Sequence, residues 1–430
     1  MKSGQTRVVI ENVQPEINHG KHAAKRVVGQ KFQVTADLMA DGHDVINAHI
    51  KYKYGKARTW QHAPMHLVGN DEFEGEFTVE KQGQYTFTVE AWIDYPLTWQ
   101  HNIERKIADN QHVNVELLDG IQYLKTAIKK AKEEKEYLNS LITAFEDPDQ
   151  YAYAIEQAQS SQLHDIFHGN PTKEFVTTYD LELPLYVDRQ KALFSTWYEF
   201  FPRSTAKKEG EHGTFQDCLD VLPYVKEMGF DVIYFPPIHP IGTQHRKGKN
   251  NTTTPTPDDV GVPWAIGNKE GGHKDILPEL GNFDDFKAVV KKANELGIEI
   301  ALDFALQCSP DHPYVKENPS WFKWRPDGTV QYAENPPKKY QDIYPIYFES
   351  KDWENMWNEF ISIVLHWNKL GIKIFRVDNP HTKPFGFWEY LIAEVKKVDQ
   401  DVLFLALFLL TLNILSLILM IYYDLLKQNN

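Results

Sequence analysis

The run Gly371-Ile372-Lys373-Ile374-Phe375-Arg376-Val377-Asp378-Asn379-Pro380-His381 constrains this chain more than any other stretch, because an apolar segment ends there abruptly in opposite charges. Side chains alternate along a strand, so Ile374, Arg376 and Asp378 share one face while Phe375 and Val377 share the other. Two opposite charges on one face of an apolar strand either form a buried structural pair or do chemistry. A neighbouring arginine favours the ionised form of a carboxyl group. An ionised carboxylate at the carboxyl end of a barrel strand is a ready nucleophile.

The text around this strand alternates in character. From Arg7 to Val115, short runs such as Phe32-Val34-Ala36-Leu38 and Ile46-Ala48-Ile50-Tyr52 alternate apolar with polar residues between turn-like clusters, which predicts an antiparallel β-sandwich over residues 1–118. Between Asp119 and His168 the apolar spacing changes to three and four (Ile121, Leu124, Ile128, Ala131, Leu138, Ile142, Phe145), which predicts a helical insert over 119–170. A linker over 171–190 follows. Strands and helices then alternate: strands at Phe194–Phe201, Asp231–Pro237, Ile298–Phe304, the Asp378 run and Asp401–Ala406, with helices capped by Thr214 and Asn282 and closed by Gly229 and Gly297. Repeated β-α units of this length predict a parallel (β/α) barrel over 191–406, with a long loop at 307–350 and about five of its eight strands encoded. The fold class is therefore multidomain: a β-sandwich with a helical insert, then an incomplete (β/α)8 TIM barrel.

Composition excludes some functions. The formal charge of −14, with no lysine or arginine block, argues against a nucleic-acid partner, since phosphate binding needs clustered cations. Only Cys218 and Cys308 are present, too few for a disulfide framework, and the start MKSGQTRVVI has no apolar secretion core, so a cytoplasmic location is expected. His239, His273 and His312 are scattered among Pro and Gly with no ligand spacing on a predicted helix, so no metal is assigned. The aromatic content of 13% suits stacking on sugar faces, but packing of the core uses rings as well.

The pattern Gly-x-x-x-Phe-Arg-x-Asp resembles the nucleophile strand of the α-amylase-type glycoside hydrolase superfamily, and Phe375-Arg-Val-Asp-Asn-Pro-His-Thr-Lys-Pro384 is similar to the GlgE-type maltosyltransferases within it. The resemblance runs from the amino terminus to about Ala406. It implies a retaining transfer of maltosyl from α-maltose 1-phosphate to an α-1,4-glucan, without an organic cofactor, in a homodimer. It makes Asp378 the nucleophile and Arg376 its support, with Asp303 helping to hold the surroundings. Lys247, Gln307, Asp342 and Asn379 become donor-binding residues; a lysine suits the phosphate, and amide and carboxylate groups suit hydroxyls. Gln307, where most amylase relatives carry histidine, favours the phosphate-donor branch.

Retaining transfer needs a second carboxylate as general acid and base. The resemblance places it at the end of the fifth strand, where this sequence has Leu407 instead. From Val402 to Tyr423 the text is uncharged and rich in Leu and Ile, long enough to span a bilayer. A tail anchor would follow a finished domain, whereas this run begins inside a barrel strand. A shifted reading frame after Ala406 is therefore the better account of the aberrant 407–430 tail, and a membrane partner is not expected. The chain as written is expected to be inactive. The competing functions are another α-glucan hydrolase of the superfamily, and a non-catalytic carbohydrate-binding or membrane-tethered remnant.

Overall fold

The computed structural model describes residues 4–406, and the 407–430 tail, Leu407 included, lies outside them. The chain divides at Asp188/Arg189 into two compact units.

The first unit is built on strands β1 (Val9–Gln14), β2 (Ala24–Val27), β3 (Lys31–Met39), β4 (Ile46–Tyr54), β5 (Gln61–Gly69), β6 (Glu72–Thr78), β7 (Gly83–Ile93), β8 (Thr177–Thr178) and β9 (Leu183–Asp188). They form one hydrogen-bonded set in the order β1-β3-β6-β5-β4-β7-β9-β2, with β8 on β7. The alternation read in the sequence is the burial pattern: Phe32, Val34, Ala36 and Leu38 of β3 all face the core. Residues 171–190, expected as a linker, instead contain β9, which lies between β7 and β2 and pairs with both. Leu183, Leu185 and Val187 enter the same core as Phe32 and Phe87.

Helices follow β7 directly: α1 (Tyr95–Ala108), α2 (Asn114–Ala127), α3 (Lys135–Glu146), α4 (Tyr151–Ala158) and α5 (Ser161–Gly169). The strand reading up to Val115 is thus corrected over 95–108. Asp94 caps α1 by accepting from the Leu97 N–H, and Pro96 sits in the first turn, where its missing N–H costs nothing. Leu97, Trp99 and Ile103 join Leu117, Leu124, Leu138 and Phe167 in a core of their own.

The second unit carries β10 (Trp197–Glu199), β11 (Val232–Phe235), β12 (Glu299–Phe304), β13 (Gln307–Cys308), β14 (Ala333–Asn335), β15 (Lys338–Tyr340), β16 (Tyr344–Pro345), β17 (Ile374–Val377) and β18 (Leu403–Ala406). Strands β10-β11-β12-β17-β18 form a five-stranded sheet whose neighbours are all parallel, the partial barrel expected from the repeats. Its helices are α6 (Phe215–Glu227), α7 (Phe283–Glu295), α8 (Pro313–Glu317), α9 (Trp353–Lys369) and α10 (Phe385–Val398). Thr214 with Asp217, and Asn282 with Asp285, make reciprocal capping boxes at the starts of α6 and α7. Gly229 and Gly297 end those helices' turns at φ of 84° and 74°, which a side chain rarely tolerates.

The two faces of the sheet differ. Phe375 and Val377 pack outward with Phe360, Val364 and Phe387 from α9 and α10. Ile374 packs inward with Val232, Tyr234 and Ala301. On α9, Met356, Phe360, Val364 and Trp367 are buried, Trp367 beside Phe286, while Trp353 is exposed.

Candidate active site

Asp378 stands one residue past the end of β17, on the inward face with Arg376. The backbone N–H of Asp378 still donates to the Phe304 carbonyl at 3.2 Å, so the strand holds its start. The Arg376 guanidinium donates through Nη1 to Asp378 Oδ1 at 2.7 Å and to Asp303 Oδ2 at 2.8 Å. Register explains the second contact, since Asp303 of β12 and Arg376 of β17 are direct cross-strand partners. The Tyr234 hydroxyl of β11 donates to the same Asp303 oxygen, extending the polar layer across three strands.

This layer is dry at its base and open at its top. The Asp303 side chain is 0% exposed, and its Oδ1 has no hydrogen-bond partner. Burial pushes the Asp303 carboxyl up to about 7 against the opposing pull of Arg376 and the Tyr234 hydroxyl. Tyr234 is pushed up by burial and by the neighbouring Asp303 charge. Asp378, with 14% side-chain exposure, reaches the cleft above.

Asn379 adopts the left-handed conformation (φ 45°, ψ 55°), which asparagine accepts more readily than most residues. Its Nδ2 donates to Asp378 Oδ2 at 2.9 Å, so the two carboxylate oxygens are held by different partners. The cleft, about 860 Å³, is lined by Gln307, Asp378 and Asn379 and by Trp264, Lys338, Tyr340 and Lys383 among others. Gln307 opens β13 and donates to the Trp264 carbonyl at 3.2 Å.

Lys247 and Asp342 lie near each other. Lys247 Nζ donates to Gln341 Oε1 at 2.6 Å, and both Lys247 and Asp342 are buried. Burial raises the Asp342 carboxyl, with the Lys247 charge acting in the opposite direction. Tyr340 and Ile343, on either side of Gln341 and Asp342, line the cleft that holds Asp378, whereas Lys247 and Asp342 themselves are not among its lining residues.

Two further groups lie outside the site expected from the sequence, although His273, Cys308 and His312 of the second were named there without being brought together. Lys383 and Tyr234 contact the polar layer only through the fold, although Lys383 lies inside the Asn-Pro-His-Thr-Lys-Pro run. The second group is His273, Cys308 and His312, whose ligand atoms lie within 4.8 Å of one another and are all buried. Their distance in sequence hid the proximity. A relay of neutral rings satisfies the nitrogens: the Tyr314 N–H donates to His312 Nδ1, His312 Nε2 to His273 Nδ1, and His273 Nε2 to the Ala305 carbonyl. Burial drives the His273 imidazole down to about 3 and His312 well below its usual range, which suits that neutral state. Gly267 and Gly272 leave room for His312, since a Cβ there would lie 2.2 and 2.5 Å from the ring.

Comparison with known proteins bears on both units. Residues 6–189 match the model of the α-1,4-glucan:maltose-1-phosphate maltosyltransferase domain N/S, and residues 198–382 match the α-amylase catalytic domain. The chain is similar to the α-1,4-glucan:maltose-1-phosphate maltosyltransferase of Chlorobaculum tepidum, at 47% identity over 94% of this chain and 60% of the relative. It is 44% identical to that of Cereibacter sphaeroides over 94% of this chain and 68% of the relative. Among solved structures, an α-amylase from Lactobacillus plantarum aligns at 28% identity and a TM-score of 0.42, covering 49% of this chain and 44% of that one. The chain spans about 60% of the length of the curated relatives it first matches. With both units matched in order and identity near one half along almost all of its length, this chain belongs to the α-1,4-glucan:maltose-1-phosphate maltosyltransferase family.

Proposed function

We propose that the enzyme this chain represents moves maltosyl from α-maltose 1-phosphate to the end of an α-1,4-glucan, releasing phosphate with retention at the anomeric carbon. Asp378 is the nucleophile in this reading. Its Oδ attacks the anomeric carbon as the bond to the phosphate oxygen breaks, and the acceptor hydroxyl then displaces the ester. Arg376 and Asn379 hold the carboxylate oxygens in place. Gln307, Lys247 and Asp342 take donor contacts. The observation that carries the reading is Asp378 itself: a carboxylate gripped on both oxygens at the carboxyl end of a barrel strand, opening into a cleft wide enough for a disaccharide.

The family relation favours a homodimer. A cytoplasmic setting fits two buried, unpaired thiols. Among the described residues no helix is long and apolar enough to cross a membrane.

Leu407 stands where a proton-donating carboxylate belongs, so the written chain can form a glycosyl ester only when the leaving group needs no proton. The test uses two donors. Phosphate release from α-maltose 1-phosphate should not exceed that of Asp378→Ala. α-Maltosyl fluoride, whose fluoride departs unprotonated, should leave a maltosyl ester on Asp378 detectable by mass spectrometry. An ester on another residue, or none, would overturn the assignment of the nucleophile.

A further inference from the structure

Lys383 sits five residues beyond Asp378 and enters the cleft wall from the turn after β17. Its Nζ donates to the backbone carbonyl of Asp378 at 3.3 Å and to that of Asn379 at 3.1 Å. The Asn379 carbonyl also accepts from the Thr382 N–H at 3.2 Å and the Thr382 hydroxyl at 2.8 Å. The Pro380 carbonyl accepts from Trp388 Nε1 at 3.0 Å. Three consecutive carbonyls, 378 to 380, are thus each fixed by a side chain further along the sequence, and Lys383 serves two of them.

That turn decides where Asp378 and Asn379 point. Asn379 is held at positive φ, which asparagine accepts, and the groups that bind the carbonyls on either side fix the direction of the turn. If the peptide between Asp378 and Asn379 rotated, the Asn379 amide would leave Asp378 Oδ2, and one carboxylate oxygen would lose its partner. The charge count points to the same lysine. Asp303 and Asp378 share one guanidinium, so the polar layer has two carboxylates to one fixed cation, and the Lys383 ammonium is the second cation facing them.

We propose that Lys383 is a positioning residue of the glycosyl-transfer site: its ammonium pins the 378–380 turn and thereby sets Asp378 and Asn379 for attack. It acts through the backbone and not on the sugar, and it rests on the reading of Asp378 as nucleophile.

Burial of its ammonium brings Lys383 down to about 8, so a protonation-dependent clamp fails within an accessible range. The groups facing it are Asp378 just past β17, Arg376 of β17, Asp303 of β12 and Tyr234 of β11, with His381, Glu334 and Lys338 along the cleft. Tyr234 is raised beyond that window, Asp303 at about 7 loses its proton below it, and an arginine stays charged throughout.

The experiment follows ester formation on Asp378 of the full chain with α-maltosyl fluoride from pH 6 to 9.5, alongside amide exchange of the 378–383 turn. Lys383→Met should form the ester at least about tenfold more slowly at every pH, because a small misplacement of a nucleophile costs that much or more. The unmodified chain should lose rate above pH 8, and Lys383→Arg should keep it. Exchange of the Asp378 and Thr382 amides, bonded to the Phe304 and Asn379 carbonyls, should quicken in Lys383→Met and stay slow in Lys383→Arg. Parental ester formation by Lys383→Met overturns the proposal. If the unmodified chain forms no ester, the nucleophile reading falls, and exchange alone decides: slow amides in the unmodified chain that quicken in Lys383→Met sustain the clamp, whereas unchanged or unprotected amides sink it.

Discussion

Arg376 is the residue on which the polar layer depends. It contacts both carboxylates through one nitrogen, Nη1, and one of those carboxylates is wholly buried. Removing the guanidinium strands Asp303 without its cation, and breaking a buried pair from one side costs roughly 3–5 kcal/mol. Arg376→Met should therefore lower the unfolding midpoint in urea far more than Asp378→Asn, which leaves Asp303 paired. Equal losses in the two variants would show that Asp303 does not need its partner. The alternation of β17 in the sequence already placed Arg376 and Asp378 on one face. Asp303 and Tyr234 were harder to place, because cross-strand register depends on how β11, β12 and β17 align, and no local pattern states that alignment.

At the scale of elements, the helix boundaries of the second unit were legible because they are written in local chemistry. Thr214 and Asn282 cap as their residue types and positions imply, and each box closes with an aspartate three residues on. Thr214→Ala should cost about 1 kcal/mol of stability, read by thermal or urea unfolding, since it removes the acceptor for the Asp217 N–H. A change within error would mean that the Asp217 side chain alone holds the turn. In the first unit, α1 escaped notice because its apolar residues are few and its capping aspartate follows a strand without a break. Trp99 packs so closely on Gly120 of α2 that a Cβ there would lie 2.3 Å from the indole. Gly120→Ala should accordingly destabilise the helical layer by roughly 1–3 kcal/mol, despite alanine's better helix propensity; a gain in stability would contradict that packing.

At the scale of the whole molecule, β9 sets the extent of the first unit. It sits between β7 and β2 and contributes three buried apolar side chains, so a fragment ending near Val115 lacks an interior strand of its own sheet. Residues 4–188 should unfold cooperatively when expressed alone, whereas 4–115 should not; a cooperative transition in the shorter piece would show β9 to be dispensable. Acid stability is a second property of the ensemble. His49 and His239 are depressed to about 4 and His273 to about 3, chiefly by burial, and His312 lies lower than usual for the same reason. The unfolded chain takes up protons on these rings near pH 6.5, while the folded chain resists until about pH 4 or below. Lowering the pH through that window therefore favours unfolding. Asp303 acts in the opposite sense, since its raised carboxyl binds a proton in the folded state first, between about pH 7 and 4. Four rings outweigh one carboxyl, so the urea midpoint should fall from pH 6.5 to 4. A midpoint that holds steady or rises would mean that those rings are not buried neutral.

The sequence by itself determined the order of β-α units, the capped helix starts, the face shared by Arg376 and Asp378, and the run from Phe375 to Pro384 that marks the family. Each of these is a local property, carried by spacing along one element or by a contiguous motif. Only the tertiary structure decided that β9 belongs to the first sheet, that Tyr234 joins Asp303 in the layer beneath Asp378, that Lys247 and Asp342 neighbour each other, and that Lys383 folds back on the nucleophile's own turn. Those facts depend on register and chain return, which bring together residues between five and well over a hundred positions apart and leave no periodic trace in the text.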